Sequence, residues 1–134
     1  MMKVSFRNIV VYIFLKYLIF YIFLMFRNND YTLISVSTLQ TFQDWFFYLF
    51  IFLFLPVLNI LLFTGPIYYL LKLKKITLFV ILWVVCLLIE YVIYTRSASQ
   101  LDLMNGVYLE IIGILLFLLF FYRHIVLIFK QQAK

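Results

Sequence analysis

With 134 residues, 68% of them hydrophobic and only 12% charged, the chain lacks the composition of a soluble domain, which runs to roughly half apolar and about a quarter charged. Its net charge of +6 does not read as a nucleic-acid footprint, because the basic residues gather at the ends of apolar segments and so meet anionic lipid headgroups. A single all-α membrane domain over residues 1–134 is expected, with the lipid bilayer as its first partner and no nucleic acid.

The bias towards Phe, Ile, Leu, Tyr, Lys and Asn, with Ala98 and Ala133 as the sole alanines, points to an A+T-rich bacterial genome and hence to a bacterial inner membrane. Cys86 is the single cysteine, so no intramolecular disulfide can form.

Lys3 and Arg7 precede an apolar run, Ile9 to Phe26, interrupted only by Lys16. The run is long enough to span, and no small-residue cleavage site follows it, so a first transmembrane helix over about 9–26 is expected rather than a signal peptide. Residues 27–44 form a polar outer loop, closed by Asp44 as a helix N-cap.

Trp45 to Leu71 carries no charge, and a second span over about 45–64 is expected, kinked at Pro56 and broken at Gly65. Pro66 then opens an inner basic segment, 65–75, read either as an interfacial helix or as a continuation of helix two.

A third span covers about 76–95, with Glu90 as its one charge. An outer loop, 96–106, holds a Ser99-x-x-Asp102 capping signal and an Asn105-Gly106 turn signal. The fourth span, about 107–129, includes Glu110 near its start.

Lys72, Lys74 and Lys75 determine topology. With Lys3, Arg7, Arg123, Lys130 and Lys134 they form one basic side, against Arg27 and Arg96 on the other. Both termini are therefore expected in the cytoplasm.

The intramembrane polar candidates are Lys16, Asn59, Glu90 and Glu110. Depth counting at about 1.5 Å per residue puts Lys16, Asn59 and Trp83 in an inner layer, about 10 Å from the layer that holds Glu90, Tyr21 and the Phe52 carbonyl. Lys16 is expected to snorkel to the headgroups, the competing arrangement being a bond to the Asn59 amide. Glu90, without a close cation, is expected to be a neutral acid donating to the Phe52 carbonyl or Tyr21. It reads either as a packed carboxyl locking helix three to helix two or as a proton- or cation-carrying group. Glu110 is expected to pair with Arg27 or Arg96.

No phosphate loop, C-x-x-C, H-E-x-x-H or G-x-S-x-G occurs, and His124 is the one histidine. No catalytic residue, metal site or cofactor is expected. The functional expectation is a non-enzymatic accessory protein: a subunit or assembly partner of a larger complex, or an immunity-type protein. Its runner-up is a small oligomeric transporter with Glu90 as coupling carboxyl.

Overall fold

The computed structural model describes residues 4–31, 37, 39–98 and 102–132. Four helices follow in order: α1 (Phe6–Asn28), α2 (Phe42–Leu71), α3 (Ile76–Ala98) and α4 (Leu103–Gln132). All four are long and apolar enough to cross a membrane. In an apolar solvent each backbone donor and acceptor must be satisfied within its own segment, which is why such runs become helices.

Local chemistry sets the helix ends, and it moves several of them from their expected positions. Ser5 caps α1, its hydroxyl accepting from the Asn8 amide at 3.3 Å. At the other end Asn29 turns left-handed (φ 49°) and its N–H closes on the Met25 carbonyl. The N-cap of α2 is Thr41, not Asp44. Asp44 occupies the third helical position and reaches back to the Thr41 N–H at 2.9 Å, while the Thr41 hydroxyl takes the Asp44 N–H at 3.2 Å.

The expected break at Gly65 does not occur. Helix α2 runs unbroken for 30 residues through Pro56 and Pro66, so 65–71 continues it and Lys72 to Lys75 connect it to α3. A residue before proline normally avoids helix because the proline ring strikes its side chain. Gly65 has no side chain for the Pro66 ring to strike. At about 45 Å, α2 exceeds a hydrocarbon layer of roughly 30 Å.

Likewise, Asn105-Gly106 is not a turn but part of the first turn of α4, which starts at Leu103 rather than Val107. Asp102 makes that start, its carboxylate accepting the Met104 N–H at 3.0 Å and its carbonyl the Asn105 N–H at 3.3 Å. Ser99, the other half of the expected capping signal, lies outside the described residues.

The helices form a ring in which α1 packs on α2 and α4, and α3 packs on the same two. The short α2–α3 and α3–α4 connections make neighbours antiparallel. Helix α1 is the most enclosed, burying Ile9, Tyr12, Ile13, Lys16, Tyr17 and Phe20 along a stripe of helical spacing. Helix α3 buries little beyond Phe79, Glu90 and Tyr94. Phe117 and Phe121 of α4 fill the space beside Tyr12, with ring centroids 5.6 and 6.0 Å away.

Gly106 lets α3 and α4 approach, since a Cβ there would fall 2.7 Å from the Tyr91 ring. The ring is tethered by its hydroxyl, which donates to the Leu103 carbonyl at 3.4 Å. Gly106→Ala should therefore destabilise the bundle by about 1–3 kcal/mol, the usual cost of overpacking. Adding Tyr91→Ala should remove most of that loss. Unfolding of the single and double variants in detergent measures the coupling, and equal stability of Gly106→Ala and wild type would refute this packing role.

Candidate intramembrane charge site

Lys16 does not snorkel. Its residue is 1% exposed, and its Nζ lies 2.6 Å from Glu90 Oε2. The Tyr17 hydroxyl donates to the other Glu90 oxygen at 3.1 Å. Glu90 thus meets a close cation and the Tyr17 hydroxyl, rather than the Phe52 carbonyl or Tyr21. The depth count failed because α1 begins at Phe6, three residues before the expected start. Lys16 therefore lies about 15 Å along α1 and Glu90 about 21 Å along α3, a gap that the long lysine chain covers.

The site spans three helices. Lys16 and Tyr17 come from α1, Glu90 from α3, and Glu110 from α4. Glu110 does not pair with Arg27 or take up a surface position; its Oε2 stands 3.8 Å from Lys16 Nζ. Both of its carboxylate oxygens are buried, without a hydrogen-bond partner among the described residues.

The lysine fits because of Gly113, on the same face of α4 one turn after Glu110. A Cβ at Gly113 would sit 2.6 Å from both Cε and Nζ of Lys16. The same close approach lets the Tyr12 hydroxyl donate to the Gly113 carbonyl at 3.1 Å. Sequence reasoning missed Gly113, Tyr12 and Tyr17. The available signal was local: Gly113 follows Glu110 by three residues, so it opens space beside a buried carboxyl.

Asn59 is buried but does not receive Lys16. Its Nδ2 donates to the Leu55 carbonyl at 2.9 Å, within α2, and its Oδ1 is unpartnered among the described residues. Arg27 is engaged elsewhere, donating to Asn105 Oδ1 at 2.7 Å, 3.6 Å from Asp102 and with its guanidinium over the Tyr108 ring. Lys72, at the far end of the bundle, covers the Tyr68 ring at 4.2 Å, and Lys74 and Lys75 are exposed beside it.

Chemically, the site can hold charge away from water and lock three helices together, and it carries two acids for one base. No family model, curated protein or solved structure matches the chain.

A buried ion pair contributes modestly as a pair but is costly to halve, since the remaining charge has no solvent. Glu90→Leu alone and Lys16→Met alone should each destabilise by about 3–5 kcal/mol. The double variant should recover most of that loss. Unfolding in mixed micelles closes the cycle, and a double variant as unstable as the sum of the singles would show that the pair is not the relevant interaction.

Proposed function

We propose that this chain is a multi-pass protein of a bacterial inner membrane that acts without catalysis. Its work is contact with another membrane protein, as a subunit or assembly partner of a larger complex or as an immunity-type protein. One observation carries this reading. Lys16, Glu90 and Glu110 turn inward onto one another, while α2 turns an apolar groove of about 480 Å³ outward. The groove is lined by Phe46, Leu49, Phe50, Leu53, Phe54, Val57, Leu58 and Leu61, a three-four spacing that presents a seam to a partner's transmembrane helix.

In this proposal both termini are cytoplasmic. The exposed Arg7, Lys72, Lys74, Lys75, Arg123 and Lys130 support that orientation, because they share one end of an antiparallel bundle. A bend in α2 at Pro56 belongs to the same reading, because the ring lacks the N–H that would bond the Phe52 carbonyl.

A second reading, a small oligomeric transporter, is favoured by the excess of acid over base in the core, with Glu90 as its expected coupling carboxyl.

The partner is tested with a photocrosslinker at position 50, on the groove, and a control at exposed Leu127 of α4. In native membranes a different protein should be captured from position 50 alone, and Leu61→Ala should weaken the capture. Self-crosslinking alone would favour the homo-oligomer, and no capture would end the groove reading.

Topology is tested by single cysteines in a Cys86-free background. Positions 38 and 100 should react with an impermeant thiol reagent in intact cells, and positions 74 and 134 should not. Labelling at 74 would overturn the orientation.

A further inference from the structure

We propose that the Lys16–Glu90–Glu110 cluster is a proton-binding site, with the proton on Glu110. The inference is independent of the partner reading, because it rests on the cluster's charge balance and geometry. Two carboxylates and one ammonium leave one negative charge over if all three are ionised. In the membrane interior that surplus has neither water nor counter-ions, so a further positive charge must enter or one acid must stay neutral.

Geometry decides which acid is neutral. Glu90 has both oxygens engaged, one by Lys16 at 2.6 Å and one by Tyr17 at 3.1 Å. An ionised carboxylate is an acceptor only, and these two donors give each of its oxygens a partner. Glu110 has the longer contact, 3.8 Å to Lys16, and no hydrogen bond to either buried oxygen among the described residues.

The groups around it leave no rival. Helix α1 brings Lys16 and Tyr17, and also Tyr12, whose hydroxyl is committed to the Gly113 carbonyl. Helix α3 brings Glu90. Helix α2 brings no charge to this depth, its one charged residue being Asp44 in the first turn, bonded to Thr41. A metal ion would need several oxygen ligands and would meet the Lys16 ammonium, whereas a proton needs one oxygen and no space. Glu110 stands seven residues from the start of α4, about 10 Å of helix, which makes the Arg27–Asp102 end of the bundle the nearer route to water.

The experiment is infrared spectroscopy of the protein in nanodiscs, from acid to alkaline pH, in light and heavy water. At neutral pH a protonated-carboxyl band should be present, shift in heavy water, and be lost in Glu110→Gln. Because the amide imitates the neutral acid, that variant should fold and melt as wild type does at neutral pH. Absence of the band would overturn the proposal, as would a band that survives Glu110→Gln. A band that appears only when sodium is removed would assign the site to a metal cation instead and reject the proton. A Glu110→Gln protein that fails to fold would show that the ionised carboxylate is required, and would also reject it.

Discussion

The bundle is organised around the ammonium of Lys16, enclosed in an apolar core 2.6 Å from Glu90. Neither lipid nor side-chain hydrocarbon can solvate either charge, so the two must meet. That requirement links α1 to α3 across the centre of a ring in which those helices are not the principal neighbours. It also fixes their heights: a slip of one helical turn, about 5.4 Å, would take the ammonium out of reach. The pair's contribution is thus register more than net stability. Apolar packing between helices in lipid gains nothing from burial as such, since leucine against lipid differs little from leucine against leucine, so the charges add a register that hydrophobicity does not supply.

Other features follow from admitting that lysine. Glycine at 113 leaves room for Nζ and Cε, and its buried carbonyl accepts from the Tyr12 hydroxyl. Aromatic rings fill the remaining volume, with Trp83 stacked on Phe117 at 5.0 Å and Phe20 edge-on to Tyr94 at 5.3 Å. The two ends of the bundle are held by softer contacts. At one, Arg27 reaches from α1 to Asn105 and Tyr108 of α4; at the other, Phe6 of α1 stacks on Tyr68 of α2 at 4.2 Å, beneath Lys72.

The number and order of helices were legible in the sequence because a span announces itself by length and hydropathy. Most helix ends, and the way Lys16, Glu90 and Glu110 meet, were not. Gly65-Pro66 and Asn105-Gly106 are breakers in water, where a freed backbone group finds a solvent partner. Here both pairs are carried inside helices, since Gly65 offers the Pro66 ring no side chain to strike and Asp102 caps the turn that holds Asn105 and Gly106. An error of three residues at the start of α1 became an axial error of about 4.5 Å for Lys16, enough to separate it from Glu90 on paper. Azimuth was harder still. In α1 the residues facing lipid, such as Phe14, Ile19 and Ile22, are as apolar as those facing the core, so no amphipathic pattern shows which way Lys16 points.

How the core's charges are bonded also separates a strut from a working site. A group that changes state in a cycle must exchange partners, and in a low dielectric each broken charge-assisted bond is expensive. Glu90 would have to release both Lys16 and Tyr17, and the ammonium would then be left with Glu110 alone, 3.8 Å away. That makes Glu90 the fixed member, although a lone acid in the third span invites the opposite reading. Glu110 has no hydrogen bond to break among the described residues and lies nearer a helix end. Gain or loss of its charge would act on the same ammonium that holds α1 against α3. A change in the charge of Glu110 would therefore enter through α4 and be felt at the α1–α3 contact, with Glu90 as the anchor against which it is measured.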